Sequence, residues 1–150
     1  MEPGPLCRRK INRYTDVIDA KPYTSITNMG CQAAIAVAKC STYKQYNIGA
    51  VIKKGGRLLS LGFNKCKTSA FMVTKFRYEQ IDKCHAEIST ILRARGEIRG
   101  GKMYIARVKS SGNLGNSRPC RSCMSIIREA GIKQIVYTGV DGMWYVEKVF

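Results

Sequence analysis

Residues 85–87, His85-Ala86-Glu87, open one apolar-periodic segment, and residues 119–123, Pro119-Cys120-Arg121-Ser122-Cys123, open another; read together, they decide how the rest of the chain is understood. His85 is the only histidine among 150 residues, so any chemistry that needs an imidazole must use it. One imidazole and two thiolates give a zinc ion three protein ligands and leave its fourth tetrahedral position to water, the arrangement of a catalytic site. Glu87, two residues from the imidazole, then stands where a carboxylate can carry protons to and from that acidified water. Each motif alone has a plainer reading: a lone Cys-x-x-Cys serves structural zinc or a redox pair, and a lone histidine beside alanine is a core residue. Structural zinc would need a fourth ligand from the five other cysteines scattered along the chain, and a redox pair would follow a strand in a different setting.

With both motifs in view, the chain resembles the cytidine deaminase superfamily, whose zinc members carry His-x-Glu followed by Pro-Cys-x-x-Cys. The resemblance covers residues 25–138. It implies that His85, Cys120 and Cys123 bind one catalytic Zn²⁺ and that Glu87 shuttles protons without touching the metal. The implied reaction is hydrolytic deamination of a base, cytosine becoming uracil with release of ammonia. The implied fold is α/β and three-layered, a mixed central sheet of about five strands with helices on both faces.

Carried across residue by residue, Ala50 lines the base pocket and Asn64 contacts the sugar or base, with Ala86, Ser117 and Arg118 completing the substrate-binding set. Turn chemistry after a strand explains Asn64 equally well. Many deoxycytidylate deaminases hold a second, structural zinc before the His-x-Glu using additional histidine or cysteine. This chain has no second histidine, so a single zinc is expected. The tRNA adenosine deaminases share both motifs and a serine at the position of Ser117. They carry glutamate where this chain has Arg118, and their His-x-Glu lies closer to the asparagine, so cytosine is preferred and adenine in RNA is the alternative.

A chain of this length suits one core, and residues 24–150 are expected to form a single deaminase domain. Residues 1–23 hold Pro3, Pro5 and Pro22 around Arg8, Arg9, Lys10 and Arg13; they form a basic arm, either disordered or ordering on a nucleic acid. The longest apolar run, residues 33–38, is too short for a membrane span, and no signal-peptide pattern precedes it, so an intracellular protein without membrane contact is expected. That setting argues against a disulfide framework and leaves Cys7, Cys31, Cys40, Cys66 and Cys84 as free thiols.

The formal charge of +16 predicts attraction to polyanions, unless the lysines serve solubility alone. Between residues 65 and 84, Lys65, Lys67, Lys75, Arg77 and Lys83 alternate with Phe71, Phe76 and Tyr78; basic side chains among aromatics suit single-stranded nucleic acid, as does Arg121 beside the site. Single-stranded DNA or RNA is therefore the expected substrate, and free dCMP or CMP the alternative. A non-catalytic nucleic-acid-binding module on the same scaffold is the rival class. Deoxycytidylate deaminases often assemble, which adds a homo-oligomer to the expected partners.

Periodicity supplies the elements. Ile26, Gly30, Ala33, Val37 and Cys40 mark a core helix ending near Ser41. Residues 48–52 and 58–63 form a hairpin about Gly55-Gly56. His85 to Gly96 is a helix, 103–108 a strand, Cys120 to Gly131 a helix and 132–138 a strand. The last three make a βαβ unit whose strands should be parallel. A fifth strand or a terminal helix must come from residues 139–150.

Overall fold

The Gly55-Gly56 turn is the first fixed point of the computed structural model, which describes residues 20–23, 28–41, 47–68 and 83–149. In chain order the elements are β1 (Lys21–Pro22), α1 (Met29–Ala38), β2 (Asn47–Lys54), β3 (Arg57–Phe63), β4 (Lys65–Thr68), β5 (Lys83–Cys84), α2 (Ala86–Arg93), β6 (Lys102–Val108), β7 (Leu114–Gly115), α3 (Arg121–Glu129), β8 (Gln134–Thr138) and β9 (Trp144–Lys148). Gly55 at φ +59° and Gly56 at φ +81° make the two-residue turn whose twist matches that of β2 and β3.

The main sheet runs β1-β9-β8-β6-β2-β3, with β7 also paired to β6, and β4 and β5 form a separate ribbon. β6 and β8 are parallel, with Met103 beside Ile135 and Ile105 beside Tyr137. This is the register expected of a strand-helix-strand crossover through α3. The other pairings are antiparallel, so the sheet is mixed. The fifth long strand does come from the tail: β9 folds back on β8 through a turn closed by Gly139 N–H donating to Met143 O at 2.8 Å. β1 pairs with β9, so Lys21 and Pro22 of the expected basic arm belong to the sheet, while residues 1–19 of that arm lie outside the described residues.

Alternation along the strands makes two cores. Met103 and Ile105 join Ala50, Ile52, Ile127, Ile132 and Ile135 on the face that α2 and α3 cover. Tyr104, Ala106, Val51 and Val136 join Cys31, Ala34 and Val37 on the α1 face. Each fully buried isoleucine or valine contributes roughly 1.5–3 kcal/mol. Close approach on each face also depends on glycine. A Cβ on Gly49 would sit 2.3 Å from Ala38 N, and one on Gly62 would sit 2.7 Å from Thr90 N, so α1 and α2 approach β2 and β3 only because those positions lack side chains.

α1 departs from the sequence expectation. It begins at Met29, where the Asn28 carboxamide accepts from Gly30 N at 2.7 Å and Cys31 N at 3.3 Å, while Ile26 lies outside the described residues. Its buried residues are Gly30, Cys31, Ala34, Val37 and Ala38, and Cys40 is exposed. Alanines on several sides of this helix dilute the apolar pattern, so periodicity set the face slightly off. Among the described residues, no helix is long and apolar enough to cross a membrane.

Candidate metal centre

Two of the three expected metal ligands stand at helix starts. His85 is the N-cap of α2 and Cys120 the N-cap of α3, both with extended backbone. A residue there ordinarily turns its side chain onto the first-turn amides, yet neither makes a side-chain cap bond. Cys123 is the third residue of α3, on the same side as Cys120. The crossover from β6 through α3 to β8 brings the start of α3 to the carboxyl edge of the parallel pair, where it meets the start of α2.

His85 Nδ1 lies 3.2 Å from Cys123 Sγ and 4.0 Å from Cys120 Sγ, and the three donor atoms all fall within 4.8 Å of one another. Zinc bonds of about 2.0 Å to nitrogen and 2.3 Å to sulfur, at the tetrahedral angle, would put those atoms roughly 3.5 Å apart. The two observed distances straddle that value, so this donor set fits one zinc ion and leaves one coordination position. Ile88 and Ile126 pack against the cysteines as an apolar wall, which strengthens electrostatics inside the site.

Glu87, in the first turn of α2, is buried. Burial pushes its carboxyl up to about 7, against the pull of His85 beside it. A carboxyl at that value can both accept and return a proton near neutrality. At His85, burial works against the charged ring, but the hydrogen bond and charge of Cys120 and the charge of Glu87 outweigh it, so its value is raised.

Two of the expected substrate residues are joined beside His85. Ala50 and Ala86 are fully buried and linked through Thr90, whose hydroxyl donates to Ala86 O at 2.8 Å and to Ala50 O at 3.2 Å. Asn64 is buried at the end of β3, its Oδ1 accepting from Ile48 N at 2.9 Å and from the Ser41 hydroxyl.

Two others point inward. The Ser117 hydroxyl donates to Ile105 O at 2.9 Å and accepts from Thr138 N at 2.9 Å, tying its segment to β6 and β8. Arg118 donates from Nε to Glu147 Oε2 at 2.7 Å and from Nη2 to Oε1 at 3.0 Å, both side chains almost wholly buried. The guanidinium, expected to face substrate, is thus neutralised beneath the site. Arg121 is exposed at the start of α3. Lys65, Lys67 and Lys83 fall in β4 and β5, with Lys65 opposite Cys84 and Thr68 opposite Lys83. Lys75 and Arg77 lie outside the described residues.

Sequence reasoning missed Thr90, Tyr137, Thr138 and Glu147. The available signal was alternation in β9: Glu147 stands between Tyr145 and Val149, which pack on the zinc-side core, and a charge at an inward strand position requires a buried partner. A cavity of about 730 Å³ lined by Tyr23, Cys31, Ile35, Met143 and Trp144 lies on the α1 face, away from these groups.

Residues 25–139 match the cytidine and deoxycytidylate deaminase zinc-binding region. In fold the chain is similar to the apo dCMP deaminase of cyanophage S-TIM5, at 23% identity and a TM-score of 0.56, over 80% of this chain and 88% of that one. The same cyanophage enzyme in complex with dCMP and dUMP gives 20% identity and a TM-score of 0.56, over 81% and 90%. A cytidine deaminase from Burkholderia pseudomallei gives 18% identity and a TM-score of 0.56, over 80% and 90%. No curated protein sequence matches the chain.

Proposed function

The chain belongs to the cytidine and deoxycytidylate deaminase zinc-binding family, and on that footing we propose that it converts the cytosine of a free nucleotide, dCMP or CMP, to uracil with release of ammonia. The observation that carries the chemistry is the buried Glu87 carboxyl, two residues from His85 and outside the His85–Cys120–Cys123 donor set. Bound by those three residues, zinc supplies the Lewis acid that activates water at neutral pH. Glu87 takes one proton from the attacking water and delivers it to ring nitrogen N3, then takes the second from the hydroxyl now on C4 and passes it to the amine, which leaves as ammonia as the C4 carbonyl forms.

Ala50 and Ala86, both fully buried, back the base-binding side of the site in this reading. Asn64, with its oxygen held by two donors, donates from Nδ2 to the sugar or base. Ser117 and Arg118 hold the turn before Cys120 and do not bind substrate.

Two observations support the small substrate over the single-stranded polymer that the charge of +16 favours. Arg118, one of the cations in that charge and next to the zinc turn, is neutralised by Glu147. The similar cyanophage enzyme is a dCMP deaminase, seen with dCMP and dUMP. The polymer reading keeps the exposed Arg121 and the overall charge in its favour.

The test offers zinc-loaded protein dCMP, CMP and a cytosine-containing single-stranded oligonucleotide at about 50 and 200 mM salt. The expected result is dUMP or UMP, with turnover little changed by salt. Uracil formed only in the oligonucleotide, falling steeply with salt as counterion release is lost, would replace the free nucleotide with the polymer.

A further inference from the structure

We propose that Glu147 is a positioning residue for the zinc site: it holds Arg118, and through Arg118 the turn that carries Cys120, in the geometry that retains the metal. This rests on the zinc site and not on the choice between nucleotide and polymer.

Glu147 stands on β9, opposite Ile135 of β8, on the sheet face that α2 and α3 cover. Its carboxylate is fixed from two directions. The Arg118 guanidinium meets both oxygens, at 2.7 and 3.0 Å, and the Tyr137 hydroxyl donates to Oε2. A two-point contact of this kind sets orientation as well as distance. Arg118 is separated from Cys120 only by Pro119, whose ring fixes one backbone torsion, so little slack lies between guanidinium and sulfur.

The segment is also pinned just upstream, where Ser117 N donates to Thr138 O at 2.8 Å and the Ser117 hydroxyl to Ile105 O at 2.9 Å. Cys120 makes no side-chain bond to its own helix start. Met124 N donates to its carbonyl at 2.9 Å and Ile88 and Ile126 pack against its side chain, while the path of the chain into Cys120 is set by what holds residues 117–119. A buried ion pair contributes little net stability relative to well-packed apolar replacements. Stability alone is thus a poor reason for the pair, whereas a metal ligand two residues away needs a fixed approach.

The experiment loads Arg118→Lys, Glu147→Gln and a control, Val37→Ala, with zinc, then follows zinc transfer to a chromophoric chelator well below each melting temperature. Val37 is buried on the α1 face, so the control thins a core without touching the zinc turn. Arg118→Lys keeps the charge and loses the fork, so it carries the test even if Glu147→Gln fails to fold. The expected result is transfer roughly tenfold to a hundredfold faster in both variants than in the control at matched thermal stability. With dCMP, kcat should fall while KM changes little. The double variant Arg118→Met with Glu147→Leu should recover melting temperature but not slow transfer. Transfer that only tracks melting temperature across all four proteins would overturn the proposal and leave the pair a fold-stabilising contact. Because the chelator measurement needs no substrate, a wrong substrate assignment would not disturb it.

Discussion

Among the described residues, three helices begin in two different ways. α1 begins on Asn28, whose carboxamide satisfies the amides of Gly30 and Cys31. α2 and α3 begin on His85 and Cys120, which make no cap bond and turn towards one another. Where the chain needs only a helix, it uses a good cap. Where it needs a metal, the capping side chains are withheld, and the helix starts are held by other means: Thr90 bonded to Ala50 and Ala86, Ile88 and Ile126 packed on the cysteines, and the Arg118–Glu147 pair below. Functional positions commonly give up local stability in this way.

The sharpest way to break the contrast is to give α3 an ordinary cap. Cys120→Ser replaces sulfur with oxygen at a position where serine is a preferred N-cap. Zinc should be lost or held far more weakly, and turnover with it. The zinc-free variant should nevertheless unfold at higher urea than the zinc-free parent, by about 1 kcal/mol. Metal analysis and denaturation of the chelator-treated proteins measure both. A zinc-free variant no more stable than its parent would mean that the start of α3 gives up nothing to its ligand.

Next in size is Glu87→Gln, which should keep zinc, since Glu87 lies outside the ligand set, and lower kcat by roughly 10²- to 10⁴-fold, the usual worth of a general acid–base group. Loss of zinc in that variant would move Glu87 from proton carrier to structural support of the site.

These effects separate what the chain made legible from what it hid. The metal centre is written in two short stretches, 85–87 and 119–123, because a helix start fixes the relative placement of residues three apart without help from the rest of the fold. The β6–α3–β8 crossover was readable for a similar reason, since its final connection, residues 130–133, is short and its strands strongly apolar. The support beneath was not. Arg118 and Glu147 meet only after β8 and β9 pair in one register, and no local rule links a residue before a proline to one in the tail strand. Arg118 therefore looked like a substrate-facing cation, and only the inward alternation of Glu147 hinted otherwise. α1 was misplaced on a smaller scale, its alanines offering too little contrast to fix the face.

The two glycines extend the comparison to the two sheet faces. An added methyl of this kind in a packed interface costs roughly 1–3 kcal/mol, so Gly49→Ala and Gly62→Ala should destabilise by similar amounts. Their functional effects should differ. Gly62→Ala presses on Thr90, in the helix that starts at His85, and should speed zinc release and lower kcat. Gly49→Ala presses on Ala34 and Ala38 of α1 and should leave kcat per folded molecule unchanged. Equal losses of kcat in the two variants would show that the faces are coupled.

The smallest expected effect belongs to the ordinary cap itself. Asn28 has two tasks: its Oδ1 accepts from the amides of Gly30 and Cys31, and its Nδ2 donates to the Tyr23 hydroxyl at 2.8 Å. Tyr23 follows β1 and donates from its own amide to Trp144 O at 2.9 Å, so Asn28 joins the start of α1 to the outer edge of the sheet. Asn28→Ala removes both tasks and should cost about 1 kcal/mol, a fall of roughly 2–4 °C in Tm for a chain of this size. Asn28→Asp keeps an accepting oxygen for the amides and loses only the donor to Tyr23, so it should recover most of that fall. Hydrogen exchange should localise the change, with faster exchange at Gly30 and Cys31 in the alanine variant and unchanged exchange in the first turns of α2 and α3. Zinc transfer and kcat should match the parent in both variants, because α1 packs on the opposite sheet face from the metal ligands. Faster zinc release from Asn28→Ala at an unchanged Tm would mean that a plain structural cap also serves the site, and the division between the two kinds of helix start would fail.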